Sequence, residues 1–277
     1  MTRTTKRVPT LKVWGCRGSI PVSGGEFARY GGATTCFAVE SDEGRLLIDA
    51  GSGLQAFGSR SGLSPRDATL FVSHFHSDHI VGFPFYRHLF QEGWSLELAA
   101  VPREGLSMLD AMTSAHRRPF FPVPLQDSIR AELRSLSLDA RGELERAGLR
   151  VRWMEVEHPG GASAFRIEGA NKSVVIATDI ELRRQEREAL LEFAKGATYA
   201  FLDAQYADDE YPKFEGWGHS TAEDCARFAQ EAQIGTLYLT HHDPSRTDAG
   251  VDALLARAQA IYPQTLAAFD GLELTLD

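Results

Sequence analysis

The sequence predicts an α/β protein, α+β in some schemes, built as a four-layer αββα sandwich. Three observations carry that prediction. Short apolar runs broken by glycine turns crowd the start of the chain. Further on, strand-like runs alternate with helix-like segments. The same order, strands first and then alternation, occurs in both halves without a linker or low-complexity tract between them. With 277 residues, 43% of them hydrophobic and 24% charged, the chain has the material for one domain over 1–277 with a sizeable core.

The elements follow in order. "TLKVWGCRGS" and "TTCFAVESDEGRLLIDAG" are strands with glycine turns, and "GGEFARYGGATT" is the loop between them. "ATLFVS" is a short strand that ends where a histidine cluster begins. "HIVGFPFYRHLFQEG" starts as a helix and is interrupted near Pro84. Residues 94–101 form a strand, and residues 104–115 and 127–147 are helical in pattern. The proline-rich and aromatic "HRRPFFPVPL" between them makes 104–147 a candidate lid. "GLRVRWMEVEHPG" is a strand ending on His158, and "SAFRIEG" with "KSVVIATD" forms a hairpin ending on Asp179. "LRRQEREALLEFAKG" is a helix. "TYAFLDAQY" and "GTLYLTHHD" are strands. In the helix between those two strands, Ser220 is the expected cap with Glu223 three residues on, and Cys225, Phe228, Ala229 and Ala232 form its apolar stripe. A last helix begins after Asp248, with Val251, Leu254, Leu255 and Ala258 inward.

Composition narrows the function classes. A net charge of -9 disfavours a long nucleic-acid footprint. Cys16, Cys36 and Cys225 lie far apart without a CxxC, so neither a disulfide framework nor a cysteine-built metal site is expected. No apolar signal segment follows "MTRTTKRVPT", and no run approaches the ~18 apolar residues of a membrane span. A cytoplasmic protein is the default expectation. A homo-oligomer is compatible with this composition.

"SHFHSDHIVGF" concentrates the chemistry, with His74, His76, Asp78 and His79 within a few positions. Such donors suit zinc, and also manganese or iron. In an extended "HFH", His74 and His76 face the same side. Asp78 and His79 follow as the chain turns into a helix, which splits the donors between two ions. His158, Asp179, Asp203 and His241 stand at other predicted strand ends, where a sheet can converge them, and a carboxylate such as Asp179 can bridge two cations. Burying this cluster without partners would be costly, whereas a lone histidine such as His88 or His116 is structural or exposed.

These residues resemble the hallmark of the metallo-β-lactamase-fold hydrolases, HxHxDH, with further ligand positions in "EHPG", "ATD" and "LTHHDP". The resemblance covers nearly the whole chain. "WGCRGSIP", "RYGGATTC", "GWGHST" and "HHDPSRTD" are similar to the phosphodiesterase branch that includes tRNA 3′-processing endonucleases and cyclic-nucleotide phosphodiesterases. The resemblance implies the metallo-β-lactamase fold with two divalent metal ions in a groove between the sheets. It implies His74, His76 and His158 on one ion, Asp78, His79 and His241 on the other, and Asp179 as the bridge. It places the ligand directly after the threonine, at His241, although the sequence itself leaves His242 open. His219 of "GHST" is similar to a histidine beside the scissile phosphate. The endonuclease group's "HEAT" segment is replaced by "LDAQY", with Asp203 in the comparable place, and no long basic, glycine-rich arm is visible.

The expected function is therefore metal-dependent hydrolysis of a small phosphodiester, such as a cyclic nucleotide, by an activated water. His219 is the expected acid for the leaving oxygen, Asp203 the residue that fixes its tautomer, and Asp78 is both ligand and part of the catalytic set. Tyr206, Tyr211, Phe214 and Trp217 either stack on a base or pack their loop. The alternatives are an RNA 3′-processing endonuclease or other nuclease, which needs a basic docking surface, and a lactonase or thioesterase, which needs no phosphate-contacting histidine. A non-enzymatic interaction module would keep the donor set unused.

Overall fold

The computed structural model describes residues 8–60, 63 and 66–277. Strand β1 (Thr10–Gly15) alternates half-buried and buried positions and pairs with β2 (Cys36–Ser41), which turns back into β3 (Gly44–Ile48). Helix α1 (Gly53–Gly58) leads to β4 (Asp67–Phe71). The short α2 (Ser77–Ile80) then gives way to 3-10 turns at Phe83–Phe85 and Arg87–Phe90. Pro84 has no amide hydrogen to continue an α-helix there. β5 (Ser95–Ala100), α3 (Met108–Ala115), α4 (Leu125–Ser128) and β6 (Glu132–Ser137) complete the first half.

The second half runs through β7 (Arg141–Arg146), β8 (Leu149–Val156), β9 (Ala162–Glu168), β10 (Ser173–Ala177), α5 (Arg187–Ala194) and β11 (Tyr199–Asp203). It continues through α6 (Ala222–Glu231), β12 (Thr236–Thr240), α7 (Asp248–Gln259) and β13 (Thr265–Ala267), and ends in β14 (Glu273–Thr275). The sheets run β14-β1-β2-β3-β4-β5-β6 and β13-β12-β11-β10-β9-β8-β7. From β1 to β6 the pairings are antiparallel, antiparallel and then parallel three times, and β8 to β13 repeats that order. The likeness of the two halves thus lies in strand pairing.

Apolar burial produces the four layers. Phe37, Ile48 and Phe71 of one sheet and its flanks meet Phe165, Ile176 and Phe201 of the other in the inter-sheet core. Phe37 and Phe201 touch edge-on at 5.0 Å. The outer face of the first sheet packs under α1 and α3 through residues such as Leu54, Phe57 and Met112, and that of the second under α5, α6 and α7. Strands β3 and β10 are buried at every position, as strands covered on both faces must be. Phe201→Ala is expected to cost about 3–5 kcal/mol, read as a melting temperature lower by roughly 10 °C. An unchanged melting curve would place Phe201 outside the cooperative core. No helix among the described residues is long and apolar enough to cross a membrane.

Two expectations are corrected. Residues 127–147 are mostly strand: β6 pairs parallel with β5, and β7 pairs antiparallel with β8. Both are edge strands with exposed positions along their length. Their charged residues satisfy helix propensity equally well, and only the neighbouring strand decides. The cap of α6 is Thr221, whose side chain accepts from the Asp224 amide. Ser220 instead accepts from the Leu182 amide and donates to the Ile180 carbonyl, tying α6 to the loop after β10.

Candidate metal centre

The donors collect where strands end. His74 and His76 follow β4, His158 lies two residues past β8, Asp179 two past β10, Asp203 closes β11, and His241 directly follows β12. β10, β11 and β12 are parallel, and β8 joins them through antiparallel β9, so these C-terminal ends share one edge. His76 is extended and precedes α2, whose first turn carries Asp78 and His79 inward.

Asp179 offers one oxygen to each side. Oδ1 is 3.7 Å from His158 Nε2 and 3.9 Å from His74 Nε2, while Oδ2 is 3.0 Å from His79 Nε2 and 3.4 Å from His241 Nε2. Asp78 Oδ2 stands 3.3 Å from His79 Nε2 and 3.2 Å from His241 Nε2. His76 Nδ1 lies 3.2 Å from His158 Nε2. Ligands about 2.0–2.1 Å from a tetrahedral ion are about 3.3 Å apart, so the Asp78–His79–His241 set already has the spacing of a ligand shell. His74 Nε2, His79 Nε2 and Asp179 Oδ2 are buried without a hydrogen-bond partner. Orphaned donors of this kind are costly, and a cation satisfies all of them. The groups His74–His76–His158, His74–His79–Asp179 and Asp78–His79–His241 each could hold an ion.

Burial holds His74, His76 and His158 below the usual histidine range, so their lone pairs are free for a cation. Burial opposes charge at Asp179, yet His241 and His79 keep its carboxyl well below the usual carboxylate range. Asp78 is held down in the same way by His79 and His241. Against burial, Asp179 and Asp78 push His241 up to about 9 and, with Asp49, raise His79. Protons and cations therefore compete for these two rings.

Asp49 is a neighbour of the site that sequence reasoning missed. It directly follows β3, is fully buried, and its Oδ2 accepts from His79 Nδ1 at 2.8 Å. Its oxygens also accept from the amide and hydroxyl of Ser73 at 2.7 and 3.1 Å. Asp49 thereby fixes the tautomer that turns His79 Nε2 toward the centre. The available signal was an acid directly behind the wholly apolar stretch of "LLIDAG". Asp49 and His241 both have φ values in the left-handed region, 63° and 57°, a mild strain concentrated at the site. Asp49→Asn is expected to weaken metal retention about 10–100-fold, measured by competition with a chelator. Unchanged retention would reduce Asp49 to a purely structural role.

Arg17 explains why "WGCRGSIP", "RYGGATTC" and "HHDPSRTD" belong together. Its guanidinium is fully buried and donates to the carbonyls of Gly31, Asp243 and Arg246. Next to it Gly18 lies against His241, so close that an added Cβ would sit 2.5 Å from Nδ1. Ser19 donates its amide to Asp78 Oδ2 at 2.8 Å. His242 points the other way and donates to the Ala268 carbonyl at 3.0 Å, with burial pushing it down to about 3. His88 stacks on Trp94 and His116 bonds the Met112 carbonyl, both away from the centre.

His219 stands beside the donors, its ring 5.0 Å from that of His241. Its Nδ1 is committed to Asp203 Oδ2 at 2.7 Å. Asp203 is fully buried and is fixed by the amides of Ile180 and Gln205, each at 3.2 Å. The bond from Nδ1 to Asp203 leaves His219 Nε2 unengaged. A cavity of 280 Å³ opens over the centre, bordered by Ser19, His76, Asp78, Asp179, His219 and His241. A neighbouring hollow of 170 Å³ is lined by Phe75, Arg103, Leu106 and Pro159 among others. The larger hollow of 330 Å³ around Arg60, Arg66, Arg87 and Trp94 contains none of the donors, and Arg66 and Trp94 place it at the starts of β4 and β5, the opposite ends from His74.

Known proteins resemble this chain in sequence and in fold. Ribonuclease Z of Gemmatimonas aurantiaca is 27% identical over 281 aligned positions, covering 83% of this chain and 86% of that protein. Ribonuclease Z of Brevibacillus brevis is 37% identical over 103 residues, a match that spans 36% of this chain and only 31% of that protein. The metallo-β-lactamase fold protein YhfI from Bacillus subtilis superposes with a TM-score of 0.73 at 18% identity, covering 97% of this chain and 99% of that one, a likeness of fold. A family model described as a Beta-lactamase superfamily domain matches residues 44–242. That stretch takes in Asp49 and every donor from His74 to His241, and the chain belongs to the β-lactamase superfamily.

Proposed function

We propose that the chain is a metal-dependent phosphodiester hydrolase whose substrate class is RNA. The observation that carries the proposal is Asp179, whose two oxygens face two separate donor sets, with the His219–Asp203 pair alongside. The naming of the relatives as ribonucleases supports the substrate class. His74, His76 and His158 would hold one ion and Asp78, His79 and His241 the other, with Asp179 offering one oxygen to each set. Two divalent ions held there would supply Lewis acidity toward an ester oxygen and would lower the pKa of a water.

The chain's own residues do the rest. Asp203 accepts the hydrogen bond from His219 Nδ1–H, and the imidazolium form of His219 delivers its second proton, carried on Nε2, to the departing oxygen. Asp49 and the Gly218 carbonyl, which accepts from His158 Nδ1 at 2.9 Å, hold the ligand rings in place. Arg17 and Gly18 brace the segment that carries His241.

A second reading, hydrolysis of small phosphodiesters such as cyclic nucleotides, is favoured by the net charge of -9 and the 280 Å³ cavity. The decisive experiment is turnover by zinc- or manganese-reconstituted protein on RNA bearing a 3′ extension, on cyclic nucleotides, on a generic diester and on an acyl lactone. RNA is expected to show a kcat/KM at least about tenfold above the others. Preference for cyclic nucleotides would select the second reading, and lactone turnover without any diester turnover would reject both.

A further inference from the structure

We propose that Trp217 is a stacking platform for a nucleobase of the substrate, beside the ester that the centre hydrolyses. The inference rests on the phosphodiester reading above. Burial separates the aromatic residues between β11 and α6. Tyr206 and Tyr211 are each 4% exposed, whereas Trp217 is 62% exposed. Tyr206 stacks on the half-buried Phe214 at 4.4 Å and 7°, and Phe214 meets Trp217 edge-on at 5.5 Å. The row leads back to His219, whose ring lies 6.0 Å from that of Tyr206. Tyr206 and Phe214 pack the loop and present Trp217 at its rim.

A lone exposed aromatic is ordinary. What distinguishes Trp217 is the fixing of its backbone. The amides of Gly216 and Gly218, on either side of it, donate to the buried Glu181 carboxylate at 2.8 and 3.0 Å. The Trp217 amide donates to the Phe214 carbonyl at 3.0 Å. Both glycines are left-handed, with φ of 84° and 88°, a conformation that costs glycine nothing. Glu181 also accepts from the Tyr211 hydroxyl, and the Gly218 carbonyl binds His158. The indole is thus held at the water's edge by a segment tied to the metal centre. A preordered ring loses little freedom when a flat partner lands on it.

The ligand class follows from charge and shape. A chain of net charge -9 gains little from phosphate attraction. Stacking adds affinity without depending on charge, and every base presents a π face.

The test compares full-length, metal-reconstituted wild type, Trp217→Ala and Trp217→Phe on a short RNA and on the same RNA with an abasic nucleotide on either side of the cleaved bond. Trp217→Ala is expected to raise KM about tenfold on intact RNA while kcat stays within about twofold. Trp217→Phe should recover most of the loss, and on one of the abasic RNAs wild type and Trp217→Ala should become equal. Independently, adenosine monophosphate should quench tryptophan fluorescence in wild type and much less in Trp217→Phe. An unchanged KM in Trp217→Ala, or a fall in kcat alone, would overturn the stacking role. Absence of phosphodiester turnover by wild type would overturn the functional reading, and the fluorescence titration would then decide the stacking role alone.

Discussion

Asp179→Asn is expected to lower kcat/KM about a thousandfold and to reduce bound metal in step. The two oxygens of Asp179 face the two donor sets, at 3.7 and 3.9 Å on one side and 3.0 and 3.4 Å on the other. The amide keeps the shape but replaces one of those oxygens with an NH2 group that cannot ligate a cation. It also removes the negative charge that screens two like-charged ions from each other. Metal catalysis contributes several kcal/mol to the transition state, and each ~1.4 kcal/mol is a factor of ten. Elemental analysis and turnover should be measured on the same sample. Full metal content with full activity would remove Asp179 from the centre. Full metal content with lost activity would relocate its role from holding ions to the reaction itself.

His219→Ala is expected to lower kcat about 10²–10⁴-fold with metal content unchanged. Positioned acid–base groups contribute about that much, and Asp203 holds His219 at 2.7 Å in a single tautomer. The leaving group sharpens the expectation. A diester with an acidic phenol as leaving group needs no proton, so its hydrolysis should fall far less than that of RNA. Distance alone also lets His219 join His158 with Asp179, or Asp203 with His241, as an ion ligand. Joint loss of metal and activity would show that His219 is a ligand, and an equal loss for both leaving groups would show that it is not the acid.

The pair of variants separates what different stretches of chain contribute. Asp179 belongs to the parallel strand ends of the second sheet, and His219 to the loop that α6 and Glu181 fix. A role for one does not imply a role for the other.

What the sequence by itself determined was local. The alternation in β1, the apolar runs of β3 and β10 and the stripe of α6 are periodic signals within a few residues of one another, and each became the expected element. The cluster from His74 to His79 was equally local, because its spacing on an extended stretch and one helical turn is fixed by backbone geometry. Tertiary structure decided the residues whose partners lie far along the chain. β6 and β7 became strands because β5 and β8 offered unpaired edges. His241 faces the donors, while the adjacent His242 turns to Ala268. Asp49 orients His79 from 30 residues away, and Glu181 pins the Trp217 loop from more than 30. A side chain's period is set by its neighbours in sequence, but a buried polar group is satisfied by whatever the folded backbone brings within 3 Å, and only the packed sheets determine that.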